Sequence, residues 1–340
     1  MIEDGGGDRG ETLLVASPSP PSERSGGRPA TAAPAGAVPA PPVGPSRRRR
    51  RDNRIAYLFL LPWFLGLALI TIGPMVASLY LSFTDYPLLS SPEWIGLGNY
   101  QRMLDDPRFW QSLRVTFTYV AISVPLQLAF ALALALVLDK GIRGLGLYRA
   151  VYYLPSLLGS SVAVALLWRQ IFGSDGLVNK VLGLVGIENA TGWVSHPDYA
   201  LWTLILLNVW TFGSPMIIFL AGLRQIPREL YEAAMVDGAG RLMRFRRITV
   251  PLLTPIVFFN LVLQTINAFQ AFTQSFIVSG GRGGPADSTL FYSLYLYQQG
   301  FGRLDMGYAS AMAWVLLMIV GVITAINFLA SRYWVYYGDE

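Results

Sequence analysis

Residues 229–251 read ELYEAAMVDGAGRLMRFRRITVP, a hydrophilic stretch set between two long apolar runs. Pro227 stands where a helix can start, Glu229 follows in the first turn, and Leu230 to Ala234 are good helix formers. Gly238 and Gly240 break that helix, residues 241–248 can form a second short one, and Pro251 opens the next apolar run. Two short helices meeting at a glycine turn would make a compact knob on a membrane face. The same pattern fits a loop whose arginines simply face water.

What flanks the stretch calls for a bilayer. Hydrophobic residues make up 53% of the 340, charged ones 14%, and the mean hydropathy is +0.43, more apolar surface than a soluble chain could hide. Windows of roughly 20 apolar residues mark six spans, at about 55–80, 113–138, 150–172, 200–223, 251–278 and 308–332. The expected fold is all-α, a polytopic membrane protein with six transmembrane helices over residues 55–340. Residues 1–54 form a separate tail. Its first 46 residues are Pro, Ala, Gly and Ser with few large apolar side chains, a composition expected to stay disordered, and it ends in the arginines at 47–51 and Arg54. The run over 55–83 is longer than a signal-peptide core and lacks a clear A-x-A cleavage site, so it reads as an uncleaved first span.

Basic residues set the orientation, because cytoplasmic loops are enriched in them. With the N-terminus inside, the inner segments hold the arginine block, then Lys140, Arg143 and Arg149, then Arg224, Arg228, Arg241, Arg244, Arg246 and Arg247, and finally Arg332. The outer loops hold only Arg102, Arg108, Lys180, Arg282 and Arg303. Both termini and the 224–250 loop are therefore expected in the cytoplasm. Arg114 and Arg169, at span ends, are expected to snorkel to the interface, and the tryptophans at 168, 202 and 334 to anchor there.

Several chemistries drop out. There is no cysteine and a single histidine, His196, in an outer loop, which leaves no metal site and no thiol nucleophile. Neither Lys140 nor Lys180 sits in a GxxxxGK[ST] loop, so no ATP site of that kind is expected. No Asp, Glu or Lys falls in the middle of a predicted span, where ion or proton coupling would place one. No catalytic constellation is present, so the chain is not expected to be an enzyme, to hold a cofactor, or to bind nucleic acid. The fifth span instead carries amides, Asn260, Gln264, Asn267, Gln270 and Gln274, in steps of three and four with Phe269, Phe272 and Phe276 interleaved. Amides beside aromatic faces suit sugar hydroxyls; they also suit bonds between helices. Asn208 and Ser214 of the fourth span are candidates for the same lining. The sequon Asn189-Ala190-Thr191 is short enough to occur by chance.

Glu232-Ala233-Ala234, three residues, Gly238, nine residues and Ile248-Thr249-Val250-Pro251 resemble the EAA loop, E-A-A-x3-G-x9-I-x-L-P, of permease subunits in binding-protein-dependent ABC importers. Val250 in place of leucine is the one departure. Asp237-Gly238-Ala239 and Phe245 also fall where that family places D-G-A and an aromatic. The resemblance runs over about 55–335 and points to the carbohydrate type, through Gly98-Asn99-Tyr100, Asp106-Pro107-Arg108-Phe109-Trp110, Val124-Pro125-Leu126, Arg143-Gly144, Leu154-Pro155 and Gly307-Tyr308-Ala309-Ser310-Ala311. In the loop after the fifth span, Gly283-Gly284-Pro285 with Ser288-Thr289 is similar, although residues 278–285 carry an added arginine, Arg282.

The resemblance implies a type I importer permease fold in the bacterial cytoplasmic membrane. It implies a second homologous permease, two ATPase subunits that hold ATP and magnesium, and an extracytoplasmic sugar-binding protein. Glu232, Ala233, Ala234, Asp237, Gly238, Ala239, Phe245, Ile248 and Pro251 would then form the coupling contact with an ATPase. An ABC permease for an amino acid, peptide or polyamine is the alternative, and an ion-coupled transporter or a membrane enzyme a more distant one.

Overall fold

Among the described residues of the computed structural model, which are 47–140, 145–159, 161–187 and 192–336, four helices are long and apolar enough to cross a membrane. They are Tyr57–Leu81, Pro107–Asp139, Arg241–Val278 and Met306–Trp334. Two further pairs qualify only when taken together: Gly146–Leu158 with Val162–Ile171, bent by 93°, and Pro197–Trp210 with Gly213–Leu223, bent by 41°. All six expected segments are thus helical, but the third and fourth are sharply bent at breaks, and the fifth is interrupted at 270–272. The tail over 1–46, Arg143-Gly144 and the sequon at 189–191 lie outside the described residues.

The chain divides into two units, Met1–Pro62 and Trp63–Glu340. In the first, the described backbone is helical from Arg47, within α1 (Arg47–Gly66). In the second, a π-helical turn (Leu67–Ile72) leads to α2 (Gly73–Leu81). A two-residue antiparallel ribbon follows, β1 (Thr84–Asp85) with β2 (Glu93–Trp94), Thr84 opposite Trp94. Next come α3 (Gly98–Asp105), α4 (Pro107–Asp139), α5 (Leu145–Leu158), α6 (Val162–Ile171), α7 (Leu177–Leu184), α8 (Pro197–Trp210) and α9 (Gly213–Leu223). The chain ends in α10 (Arg228–Val236), α11 (Arg241–Arg244), α12 (Val250–Phe269), α13 (Thr273–Val278), α14 (Tyr292–Tyr297) and α15 (Met306–Trp334).

Helix α4 is central and packs on α8, α9 and α12. Hydrocarbon offers no hydrophobic drive between helices, so close packing must hold them. Ala131 and Ala135 of α4 are fully buried, and α9 places Met216, Phe219 and Leu220 in the same core. The window of Tyr57–Leu81, by contrast, is 0% buried, an apolar surface for lipid or a partner. Trp168 is not a free interfacial anchor: its indole N–H donates to the Thr203 carbonyl (2.9 Å) and ties α6 to α8.

Candidate functional site

The break in the fourth span builds a polar wall. A continuous helix would satisfy its own carbonyls, whereas the interruption at 211–212 frees them, and at membrane depth each freed group needs a partner. The Thr211 carbonyl accepts from Gln127 Nε2 on α4 (3.2 Å) and from Ser156 Oγ on α5 (2.8 Å). Ser156 Oγ in turn accepts from the Ser214 N–H (2.8 Å). Gln127 Nε2 also reaches Thr211 Oγ1 (2.9 Å), and Gln127 Oε1 receives Asn208 Nδ2 at 3.5 Å. Three helices are joined here through one backbone interruption.

This wall faces the fifth span across a cavity of ≈ 490 Å³. Of the residues expected to line a pathway, Gln264, Asn267, Gln270, Phe272, Gln274, Asn208 and Ser214 line this cavity. Two do not. Asn260 is fully buried, its amide donating to the Ile256 carbonyl one turn back (3.1 Å). Phe269 is 2% exposed and meets Phe117 edge-on at 5.1 Å. Both lie within α12 (Val250–Phe269): Phe269, two residues past Asn267, falls on the opposite side of that helix, and Asn260 sits a full turn before Gln264, short of the cavity. Gln270 to Phe272 then form a break before α13. Gln127, Ser156 and Thr211 are lining residues that the sequence reading missed. The interrupting Gly213-Ser214-Pro215 and Leu154-Pro155 were the available signals, since Gly- or Pro-broken apolar segments mark pathway sites. No lining residue carries a carboxylate, ammonium or guanidinium group. Such a cavity can exchange hydrogen bonds with a neutral polyhydroxyl solute.

The 229–251 stretch forms the expected pair of helices. Gly238 sits at φ +75° past the end of α10, the Ala239 N–H reaches back to the Ala234 carbonyl (2.8 Å), and the Gly238 N–H to that of Met235 (3.1 Å). That is the Schellman arrangement, which calls for glycine at this position. Glu232, Ala233 and Asp237 are exposed, Ala234, Ala239, Phe245 and Ile248 half-buried. Tyr231 hydrogen-bonds Thr249 across the knob (2.8 Å). Pro251 stands in the first turn of α12, as expected, but helical backbone already precedes it. A π-helical turn (Phe245–Thr249) carries α11 into α12 without a break. The wider turn, with the Val250 N–H on the Phe245 carbonyl, absorbs a proline that donates nothing. Val236 is 90% and Leu242 70% exposed, an apolar surface on the knob with nothing over it among the described residues.

At the other end of the helices, Asp106 caps α4 by accepting from the Arg108 N–H (2.9 Å), and its second oxygen accepts from the Tyr295 (2.5 Å) and Tyr308 (2.8 Å) hydroxyls. Arg108 grips Asp287 through two bonds (2.9 and 2.7 Å), and Arg102 pairs with Asp305 (2.7 Å). Burial pushes the Asp106 carboxyl up, but the two tyrosines and the cap amide together hold it below the usual carboxylate range. Burial and then Asp106 push Tyr295 up to about 12. A carboxyl depressed in the folded state stabilises above its unfolded value, about 3.9, and that contribution is lost as pH falls through the lower folded value. The purified protein should therefore lose unfolding temperature below about pH 4, and Asp106→Asn should flatten that fall while lowering stability at pH 7. Identical acid profiles for the two proteins, followed by thermal denaturation in detergent, would remove Asp106 from this role.

Comparison with known proteins bears on the same region. The family model described as binding-protein-dependent transport system inner membrane component matches residues 95–335. The chain is 56% identical over 296 residues to the probable ABC transporter permease protein YesP of Bacillus subtilis (strain 168), covering 87% of this chain and 96% of that one. It is 34% identical over 281 residues to the lactose transport system permease protein LacF of Rhizobium radiobacter, covering 81% and 93%. Among solved structures, a chain of a bacterial alginate ABC transporter in complex with its alginate pentasaccharide-bound periplasmic protein aligns with a TM-score of 0.72 at 22% identity, over 85% of this chain and 98% of that one. That last likeness concerns the fold.

Proposed function

The chain belongs to the family of binding-protein-dependent transport system inner membrane components, and from that premise we propose that it is a permease subunit of an ATP-driven sugar importer. The observation that carries the cargo class is the cavity. Its amides and hydroxyls come from α4, α5, α8, α9, α12 and α13 and from the breaks after α8 and α12, and the lining carries no formal charge. The lactose permease among its relatives supports the same class.

In this reading a second permease completes the pathway, two ATPase subunits bind ATP and magnesium at the cytoplasmic face, and an extracytoplasmic binding protein delivers the sugar. Both termini and the 224–250 loop are cytoplasmic, as the arginine distribution supports. Glu232, Ala233, Ala234 and Gly238 present the knob to an ATPase cleft. Closure of the ATPase dimer draws the knobs together and rocks the helices between inward- and outward-facing states. The chain supplies a pathway and a lever, and its partners the hydrolysis.

The test is ATPase activity of the reconstituted complex with its binding protein, against a panel of mono- and oligosaccharides. A sugar that stimulates hydrolysis only when the binding protein is present is the expected result. Stimulation by an amino acid or peptide and by no sugar would overturn the cargo class while leaving the importer reading intact.

A further inference from the structure

Phe272 lies in the break between α12 and α13 and lines the cavity. It meets Phe276 of α13 with ring centroids 5.2 Å apart, and Tyr297 at the end of α14 at 5.1 Å. Phe276 and Tyr297 are 5.5 Å apart, edge to face. Tyr297 then stacks on Phe301, 5.2 Å away with planes 29° apart, in the π-helical turn Gln298–Gly302. This turn lies at the end of α12 and α15 remote from the arginine-rich knob, because α15 runs back to bring the Tyr336 N–H onto Thr254 Oγ1 at the start of α12.

These rings differ from the packing aromatics beside them. Phe291, Tyr292 and Tyr295 are at most 2% exposed, whereas Tyr297 is 37% and Phe301 62% exposed. Exposure thus rises along a continuous ring path away from the cavity. The path is also held in place: Gln298 Nε2 donates to the Gly281 carbonyl (2.8 Å), and the Gly281 N–H to the Phe276 carbonyl (2.7 Å). A pyranose presents C–H faces that stack on aromatic rings, with its hydroxyls left at the rim for amides. At the inner end the rim groups are present, in Gln270, Thr273 and Gln274.

We propose that Phe301, Tyr297, Phe276 and Phe272 form an aromatic stair that takes the C–H faces of a sugar from the outer end of the fold to the amide cavity. The proposal rests on the sugar reading above. Ring stacking is the recognising chemistry, so linear oligosaccharides, which can occupy several steps at once, gain most from it.

The experiment uses the whole complex in proteoliposomes and reads sugar delivered per ATP hydrolysed. Phe301→Leu and Tyr297→Leu keep apolar bulk and remove the ring; Phe301→Tyr and Tyr297→Phe keep the ring. The leucine variants should lose about fivefold in sugar per ATP, more for an oligosaccharide than for its monosaccharide, and the ring-keeping variants should recover it. A wild-type ratio in both leucine variants overturns the stair. So does a change confined to the concentration of loaded binding protein needed for half-maximal rate, which would make Phe301 a docking contact. A wild-type complex that moves no sugar overturns the stair together with the cargo class, and is told apart by the wild-type arm alone.

Discussion

Glu232→Lys should cut uptake by about thirtyfold or more while the protein reaches the membrane at normal abundance. Glu232 is exposed on α10, a helix whose surrounding surface, Met235, Val236, Leu242 and Met243, is half or more exposed and apolar. In the proposed docking, a carboxylate one turn from Met235 and Val236 would be desolvated as an ATPase cleft closed over it, and breaking a desolvated charge pair costs about 2–5 kcal/mol. Each 1.4 kcal/mol is about tenfold. Inside the chain Glu232 has no ion pair among the described residues, so the fold has little to lose from reversal. Gly238→Val tests the same lever from the backbone. At φ +75° a side chain costs about 1–2 kcal/mol and a β-branched one strains further, which unwinds the Schellman turn that aims α10. Uptake assays with quantified membrane fractions decide the matter. Wild-type uptake in both variants at wild-type abundance would show that the knob transmits nothing.

The positions of the helices were readable because a bilayer imposes a length on each apolar run, and all six windows became helical. The knob was readable too, since Pro227, Gly238 and Gly240 punctuate it over short range. The cavity was readable only in part. A window of about 20 residues averages over the interruptions at 211–212 and 270–272, so the stripe from Asn260 to Gln274 reads as one helix face in sequence, whereas it is a helix, a break and a second helix. Asn260 and Phe269, both inside α12, meet packing because one lies a turn short of the cavity and the other on the far side of the helix. Gln127 escaped notice for a different reason. It is one of only two amides in a 33-residue helix, with Gln111 near its start, and its importance comes from Thr211, 84 positions away in sequence. The outer network has the same character, with Asp106 meeting Tyr295 and Tyr308 across 189 and 202 positions.

Gly213→Val should cost both stability and transport. Gly213 opens α9 directly behind the break, against α5. A β carbon there would overlap the Tyr152 carbonyl oxygen and lie 2.8 Å from Tyr153 Cα and 3.0 Å from Ser156 Oγ. Two of these are backbone atoms, so no rotamer change can clear them and α5 must move away. Overpacking of this kind costs about 1–3 kcal/mol. The retreat of α5 also withdraws Ser156 from the Thr211 carbonyl and the Ser214 N–H, and losing these half-buried hydrogen bonds costs about 1 kcal/mol more. Ser156→Ala separates the two contributions, because it removes the hydroxyl without crowding α5. Gly213→Val should lower the unfolding temperature in detergent by several degrees and reduce uptake roughly tenfold or more, as these summed costs imply. Ser156→Ala should show only the smaller loss of about 1 kcal/mol for a hydrogen bond. Gly222→Ala is the control for crowding as such, since the atom it would strike is the rotatable tip of Ile256. If Gly213→Val melts and transports like the wild type, the broken fourth span is not held by its close approach to α5, and the polar wall built on that break loses its support.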